Sequence, residues 1–378
     1  MKIKSIYIHI PFCKNICFYC DFPKIIYIDS MVDQYISRLK KEILNANIFF
    51  DNIETIYVGG GTPTSLSYKQ LQELLEIIKP FSKSVKEYTF ETNPETLNED
   101  KIILLKKYGV NRISIGVEST NNAILKSIGR NHTFEEVINC VNLLRKHGID
   151  NYNFDLILGL PHVSDKILKK DIKNLISLYP KHISCYSLTV NPNTIFFNKG
   201  IKEVNDEVSF HQYQIAENIL KKHKFIHYEV SNWALISYES KHNLTYWKNE
   251  PYYGFGLGAA GYIDNVRYKN TKSINKYFNN KDLIAEKEIL NVKDMIFYEV
   301  MLGLRTKFGL NLVNFKEKYS FDFSFKYKDE IKFLIKEKYL KKQKNILIPT
   351  FKGMMNLDFV ILKIFENDWF YRNKSLIF

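Results

Sequence analysis

The sequence predicts an α/β protein built on parallel strands, followed by a smaller helical region. Short runs rich in Ile, Val, Tyr and Phe alternate with stretches of helical periodicity along residues 1–235. Strand–helix units in series imply parallel strands joined by right-handed crossovers. Six such units are fewer than the eight of a closed barrel. A partial barrel and an open doubly wound sheet therefore both fit the pattern.

The predicted strands share a β-branched or aromatic composition and end near Gly, Pro, Asn or Ser. They cover Lys4–Ile10, Glu54–Val58, Glu87–Glu91, Arg112–Val117, Tyr152–Leu158 and His182–Leu188. Apolar residues at helical spacing lie between them and predict helices around Val32–Ile43, Leu71–Ile78 and Phe134–Leu144.

The alternation becomes irregular after about residue 235, which divides the chain into three predicted regions. A barrel-like core covers residues 1–235, a connecting region covers 236–290, and a small helical domain covers 291–378. The connecting region contains the glycine-rich stretch Tyr253–Gly261. The last domain contains a lysine run, Lys336–Lys344, followed by the β-like segment Ile346–Pro349. This order of elements is typical of a winged-helix domain.

The composition of the 378 residues is that of an ordinary globular protein, with 45% hydrophobic and 25% charged residues. No apolar run is long enough for a transmembrane helix. The N-terminus contains no apolar signal core, so a cytoplasmic location is expected. The net charge is +13, but only seven of the 54 basic residues are arginines. Arginine is the residue that reads bases and phosphates in a bidentate manner. Nucleic acid is therefore not an expected partner.

Three cysteines, Cys13, Cys17 and Cys20, form a C-x3-C-x2-C loop directly after the first predicted strand. In a cytosolic protein such a cluster favours metal ligation over disulfides. Three thiolates can hold three irons of a [4Fe–4S] cluster and leave the fourth iron open to a chelating ligand. The alternative is a structural zinc site, for which His9 or Asp21 would have to supply the fourth ligand.

Polar or flexible residues recur at or near the ends of successive predicted strands. They comprise the glycine segment Gly59-Gly60-Gly61 with Thr62, then Glu91, Glu118, Arg130 and Asp155. Each could belong to an ordinary turn. However, catalytic and binding groups of α/β barrels lie at the C-terminal ends of the strands. The recurrence of these residues beside a cysteine loop therefore favours one shared site.

The cysteine spacing, with the aromatic Tyr19 before the last cysteine, resembles the radical S-adenosylmethionine (SAM) superfamily. Within that superfamily, the chain resembles the HemN/HemW group. The segments that carry this resemblance are Tyr7–Cys13, Gly59–Thr64, Glu91–Pro94, Asp155–Pro161 and Glu299–Arg305. The resemblance implies a partial (β/α)6 barrel and an open iron that binds the amino and carboxylate groups of SAM.

The resemblance also implies which residues surround the two cofactors. Tyr7 would lie beside the cluster held by the three cysteines. SAM would be surrounded by residues carried over from the family motifs: Tyr19, Gly60, Gly61, Thr62, Glu91, Glu118, Arg130 and Asp155. One residue departs from the group, because the position of Glu118 is usually Gln. Glutamine can donate a hydrogen bond and an ionised carboxylate cannot.

Two activities are known in this group. HemN is the oxygen-independent coproporphyrinogen III dehydrogenase, and HemW is a haem chaperone of the same fold. Two features favour the chaperone. Only six residues precede Tyr7, where HemN has a long extension, and Phe22 occupies the position of a fourth HemN cysteine. The dehydrogenase, a SAM-dependent oxidative decarboxylase, is the alternative. Haem is thus the expected cargo, and its receivers would be apoproteins such as respiratory, membrane-associated ones.

The third feature is the hexad His242-Asn243-Leu244-Thr245-Tyr246-Trp247, which matches the HNxxYW motif associated with haem binding in HemW. An imidazole can ligate haem iron, and Tyr and Trp offer flat apolar surface to a porphyrin. On a helical turn His242 and Tyr246 would share a face, with Trp247 beside it. A helix-capping or buried histidine is the alternative role of His242. If it is a ligand, haem binding should weaken as the pH falls through the range of histidine titration.

Overall fold

The structure is a computed structural model that describes residues 2–46 and 52–368. Within these residues the contacts divide the chain into two units. The first unit comprises residues 2–46, 52–226, 233–242 and 251–288. The second comprises residues 227–232, 243–250 and 289–368. The predicted connecting region 236–290 is therefore distributed between the two units.

The strands up to residue 289 are β1 (Ser5–Ile10), β2 (Phe12–Cys13), β3 (Ile25–Ile26), β4 (Thr55–Gly60), β5 (Glu87–Thr92), β6 (Arg112–Glu118), β7 (Tyr152–Leu158), β8 (His182–Ser187), β9 (Ile226–Glu229), β10 (Asn232–Ala234), β11 (Tyr252–Phe255), β12 (Ala260–Ile263), β13 (Val266–Asn270) and β14 (Ile284–Ile289). The six predicted strands are β1, β4, β5, β6, β7 and β8. They lie side by side in that order, and every neighbouring pair is parallel. The predicted parallel α/β core is confirmed.

Helices cover one face of this sheet. Within the described part they are α1 (Asp29–Asn45), α2 (Tyr68–Ile78), α3 (Glu99–Lys107), α4 (Asn122–Ser127), α5 (Phe134–Lys146), α6 (Asp165–Ser177), α7 (Ile195–Asn198), α8 (Asp206–Lys222), α9 (Lys241–Trp247) and α10 (Ile274–Asn279). The three predicted helices are α1, α2 and α5. Helix α5 begins where Thr133 and Glu136 form a capping box, which satisfies two of the unpaired N–H groups of the first turn.

The parallel strands have one apolar face and one polar face. In β1, Ile6, Ile8 and Ile10 are fully buried on the apolar face, while Tyr7 and His9 alternate with them. The same alternation recurs in the neighbouring strands, whose polar residues align in register with those of β1. On the polar face lie Ser5, Tyr7, His9, Thr55, Tyr57, Glu87, Thr89, Glu91, Arg112, Ser114, Asn153, Asp155, His182 and Ser184. The polar face therefore presents groups that can bind a ligand.

The part of the sheet on the other side of β1 was not predicted from the sequence. The parallel partner of β1 on its other side is β11, and β12, β13 and β14 extend the sheet beyond it. The glycine-rich stretch forms β11, the following turn and the start of β12. A Cβ on Gly254 would overlap the carbonyl of Ala260. Glycine is needed there because the two strands approach each other closely.

The second unit is a small α/β domain. Within the described residues it contains α11 (Val292–Gly303), β15 (Leu310–Asn311), α12 (Leu312–Tyr319), α13 (Phe323–Lys326), α14 (Lys328–Lys336), β16 (Leu340–Gln343), β17 (Ile346–Pro349), α15 (Phe351–Met355) and α16 (Leu357–Ile364). The three strands are antiparallel in the order β15-β17-β16. The predicted β-like segment is β17, and its hairpin with β16 agrees with the winged-helix prediction. Leu334, Leu347 and Val360 are fully buried in the core of this unit.

Candidate functional site

The three cysteines lie on a loop that leaves the C-terminal end of β1. Cys13 ends the short strand β2, whose partner β3 begins at Ile25. The loop between them is held by backbone bonds, among them Phe18 N–H to the carbonyl of Ile128 at 3.0 Å. Cys13 is buried, and Cys17 and Cys20 are half-buried. The three thiols therefore belong to one anchored loop beside the polar face.

Hydroxyl and guanidinium donors approach two of the thiols. Thr62 Oγ1 donates to Cys13 Sγ at 3.7 Å, and Arg130 Nη1 donates to Cys17 Sγ at 3.5 Å. Burial raises the pKa of Cys13 to about 11 and that of Cys20 to about 12. Thiols that resist ionisation in the free protein lose their protons when a metal binds, because the metal stabilises the thiolate.

The surroundings of Cys13 fit an iron–sulfur cluster. A Cβ on Gly61 would lie 2.8 Å from Cys13 Sγ and from the carbonyl of Pro11, so only a glycine lets the backbone pass this close to the thiol. Among the described residues, no three His, Cys, Asp or Glu side chains are arranged to hold a single metal ion. A [4Fe–4S] cluster does not need that arrangement, because each thiolate ligates a different iron.

His9, the proposed fourth ligand of a zinc site, has other partners. Its Nδ1 lies 2.9 Å from the hydroxyl of Tyr7, and its Nε2 donates to the carbonyl of Pro23 at 2.8 Å. Burial lowers the pKa of His9 to about 4. Asp21, the other candidate, accepts a hydrogen bond from Asn191 at 2.6 Å. Tyr7, predicted beside the cluster, thus contacts His9 in the strand that leads into the cysteine loop.

The glycine segment after β4 is tied to Glu91 of β5. Gly60 N–H donates to Glu91 Oε2 at 2.9 Å, and the hydroxyl of Tyr57 donates to Glu91 Oε1 at 2.7 Å. Burial raises the pKa of Glu91 to about 7, although both hydrogen bonds oppose this shift. Gly60 has a φ of 120°, which only glycine adopts readily. Glu91 therefore fixes the backbone of the glycine segment next to the cysteine loop.

Arg130 connects several of the predicted residues. Besides Cys17, its guanidinium binds Asn93 Oδ1 at 3.0 Å and the carbonyl of Gly116. Asn93 Nδ2 in turn donates to Thr62 Oγ1 at 3.2 Å. Asn93 and Tyr57 were not predicted as site residues from the sequence. The signal for Asn93 was its place in the Glu91–Pro94 segment, whereas Tyr57 gave no signal beyond its place in a strand.

Glu118 and Asp155 lie on the neighbouring strands β6 and β7. Glu118 has a φ of 68° at an irregularity where the register of β6 and β7 shifts. Burial raises the pKa of Glu118 to about 7, opposed by Arg130 and by a hydrogen bond from Tyr19. Burial also raises the pKa of Asp155. At this pKa Glu118 is protonated in a large share of molecules near neutral pH, so it can donate a hydrogen bond as glutamine does.

The histidine of the HNxxYW hexad is enclosed within the first unit. Helix α9 contains the whole hexad, and its first N–H groups, those of Lys241 and His242, each lie 2.9 Å from the carboxylate of Glu87. His242 is 0% exposed, and its Nδ1 lies 2.9 Å from Oγ1 of Thr55. Burial lowers its pKa to about 3. The expected pH dependence across the usual histidine range therefore does not apply to this conformation.

The aromatic residues of the hexad lie in the other unit. Tyr246 and Trp247 belong to the second unit, whereas His242 belongs to the first. Trp247 packs against the hydrophobic core of the second unit, and the guanidinium of Arg305 lies 4.8 Å from the centre of its ring. The helix was predicted correctly. The residues of the hexad were expected to share one ligand-binding face. In the structure, His242 contacts Thr55 and Glu87, whereas Trp247 packs against the core of the second unit.

The parallel strands and the cysteine loop define a radical SAM protein. The family model of the radical SAM superfamily matches residues 7–175, and that of the HemN C-terminal domain matches residues 290–355. Coproporphyrinogen III oxidase (HemN) from Escherichia coli, described as a radical SAM enzyme, shares the fold. The TM-score is 0.84 at 21% identity, over 96% of this chain and 90% of that one.

Two curated relatives identify the family more closely. The protein named heme chaperone HemW from Lactococcus lactis is 39% identical over 362 residues, which cover 93% of this chain and 94% of that protein. The protein of the same name from Bacillus subtilis is 41% identical over 334 residues, which cover 84% of this chain and 87% of that protein. The chain belongs to the HemW family. In the part that the structure describes, no helix is both long and apolar enough to cross a membrane.

Proposed function

We propose that this chain is a haem chaperone that carries a [4Fe–4S] cluster and SAM, binds haem, and delivers it to apoproteins. The observation that carries the proposal is the 39% identity to a heme chaperone HemW over 94% of that protein's length. The proposed place of action is the cytoplasm, where thiol ligands stay reduced. The proposed receivers are apoproteins, with respiratory, membrane-associated ones among them.

Cys13, Cys17 and Cys20 are the proposed ligands of three irons. The single anchored loop and the close approach of the Gly61 backbone to Cys13 support this assignment. When bound, the cluster supplies a fourth iron that a chelating group can ligate. Arg130 Nη1 donates to Cys17 Sγ at 3.5 Å, which supports a place for this guanidinium beside the proposed cluster.

SAM is proposed to bind over the glycine segment and the polar face. The proposed contacts lie on the parallel strands, in the segments that follow them or on the cysteine loop: Tyr7, Tyr19, Gly60, Gly61, Thr62, Glu91, Glu118, Arg130 and Asp155. Glu91 holds the backbone of Gly60, which supports a role in orienting the cationic amino group of SAM. Glu118 can act as a donor because burial keeps part of its population protonated.

Haem binding is proposed to involve the hexad, with His242 as the ligand of the iron and Tyr246 and Trp247 as apolar contacts. In the conformation described here the imidazole of His242 is enclosed and bonded to Thr55. Ligation by His242 therefore requires that α9 release its first turn from Glu87 and Thr55. Once released, a neutral imidazole is a good ligand of ferric or ferrous haem.

The alternative function is oxidative decarboxylation of coproporphyrinogen III. The likeness to HemN is at the level of the fold. Phe22, which stands where HemN has a fourth cysteine, is 63% exposed and offers no ligand atom. This difference favours the chaperone.

Anaerobic reconstitution of the cluster followed by optical titration with haemin tests the proposal. We expect a Soret band that saturates, transfer of the bound haem to apomyoglobin, and no decarboxylation of added coproporphyrinogen III. Decarboxylation without stable haem binding would assign the chain to the alternative. A His242→Ala variant with an unchanged Soret spectrum and affinity would show that another residue ligates the iron.

A further inference from the structure

A continuous series of contacts links the enclosed histidine of the hexad to the glycine segment. The rings of His242 and Tyr57 lie 5.2 Å apart, centre to centre, at an angle of 34°. The hydroxyl of Tyr57 donates to Glu91 Oε1 at 2.7 Å, and Glu91 Oε2 accepts from Gly60 N–H at 2.9 Å. All four residues belong to the first unit.

We propose that His242 is a positioning residue of the SAM site, acting through Tyr57 on Glu91. This inference rests on the proposed SAM site and does not depend on haem. The ring of His242 supports the ring of Tyr57, and the Tyr57 hydroxyl then holds one oxygen of Glu91. With that oxygen fixed, the other oxygen holds the backbone of Gly60.

The His242 ring is itself held rigidly, as a positioning residue must be. Its Nδ1 is bonded to Thr55, and its backbone N–H lies 2.9 Å from Glu87. The imidazole is fully buried and neutral, since burial lowers its pKa to about 3. Its contribution to Tyr57 is therefore made by ring contact and not by charge.

Glu91 depends on such support. A carboxylate in this buried place is costly to ionise, and its two donors favour the charged form more than the charge of Arg112 does. A hydrogen bond to a charged group is worth roughly tenfold to more than a hundredfold in an equilibrium constant, so loosening it without breaking it should have a smaller effect. A shift of the Tyr57 ring would loosen one of the two.

The test uses the full chain with its cluster reconstituted, and SAM affinity is measured by calorimetry. His242→Ala removes the ring beside Tyr57, and SAM affinity should fall roughly threefold to tenfold at unchanged iron content. His242→Phe keeps a ring beside Tyr57 but loses the bond to Thr55, so the affinity should fall clearly less than in His242→Ala; Thr55 keeps its bond to Ser5 at 2.8 Å. His211→Ala, at an exposed histidine paired with Asp165, is the matched control.

A double-mutant cycle with Tyr57→Phe identifies the route. Tyr57→Phe keeps the ring but removes the bond to Glu91. If His242 acts through that bond, the double variant should lose clearly less affinity than the product of the two single losses. Fully multiplicative losses, or a His242→Ala variant that binds SAM as the parent does, would overturn the inference. Failure of the parent to bind SAM would instead refute the proposed SAM site.

Discussion

Adding one methyl group at Gly61 provides a direct test of the cluster site. The Cβ of Gly61→Ala would lie 2.8 Å from Cys13 Sγ and 2.8 Å from the carbonyl carbon and oxygen of Pro11. Ordinary contacts begin at 3.4 Å, so these atoms must separate by several tenths of an ångström. Pro11 cannot yield cheaply, because its carbonyl accepts from Ile25 N–H at 2.7 Å. The Cys13 side chain is the neighbour that can move most freely, whereas the contact with Pro11 has to be relieved by a shift of the Gly61 backbone.

Such overpacking costs about 1–3 kcal/mol in a well-packed protein. A cluster that forms only with the thiol in its original place would bear that cost on binding. Every 1.4 kcal/mol is about a tenfold change in an equilibrium constant, so cluster affinity should fall by roughly fivefold to more than a hundredfold. The assay is iron and sulfide content per chain after anaerobic reconstitution, read together with the visible absorbance.

Two other glycines supply the comparison. A Cβ at Gly59 would lie 2.7 Å from the carboxylate of Glu91, away from the cysteines. Gly59→Ala should therefore keep its cluster and lose SAM affinity. Gly303→Ala, at the end of α11, meets no atom nearer than 3.6 Å and should change neither. Full cluster content in Gly61→Ala would refute the reasoning, because the place of Cys13 Sγ beside the Gly61 backbone would then have no role in holding the cluster.

Three further predictions follow from single side chains. As the pH rises through about 7, Glu118 loses the proton that it donates, while ionisation of Glu91, whose pKa is also about 7, favours the cationic amino group of SAM. The ratio of the SAM affinity of Glu118→Gln to that of the parent should therefore rise from pH 6 to 8 in calorimetry, because glutamine keeps its donor at every pH; a constant ratio would contradict donation by Glu118. Cys17→Ala should lose bound iron, whereas Cys140→Ala, in the buried face of α5, should retain it in an iron assay. Thr55→Val removes the hydrogen-bond partner of His242 and should speed haem binding in stopped-flow mixing, because the imidazole has to leave Thr55 before it can ligate the iron. An unchanged rate would argue against ligation by His242.

The parallel core could be predicted because polar and apolar residues alternate within each strand, and this pattern is visible in a short stretch of sequence. Tyr7 and His9 alternate with Ile6, Ile8 and Ile10, and that pattern alone predicts a strand with two different faces. The pairing of β1 with β11 could not be predicted in this way. It joins Ser5 to Tyr252, and no local pattern records a contact between residues so far apart.

The same distinction between local patterns and contacts of distant residues applies to the candidate site. The cysteine spacing and the glycine segment are contiguous in sequence, so their residue types and positions were enough to identify them. His242 was also identified by its hexad, but its surroundings were not. These surroundings include Thr55 and Glu87, which lie on the neighbouring strands β4 and β5, far from His242 in the sequence. Only the tertiary structure shows that these residues enclose the imidazole.

The polar face of the sheet explains why ligand binding and stability can be tested separately in this protein. A closed α/β barrel fills its interior with branched apolar side chains. Here the corresponding positions carry groups such as Glu91 and Asp155, while the apolar residues Phe154 and Leu156 lie on the opposite face, buried under helices. The free energy of folding therefore depends mainly on the buried side chains of the apolar face. Conservative changes on the polar face should alter ligand affinity before they unfold the chain. Truncations on the apolar face, such as Phe154→Ala, should instead cost about 3–5 kcal/mol of stability.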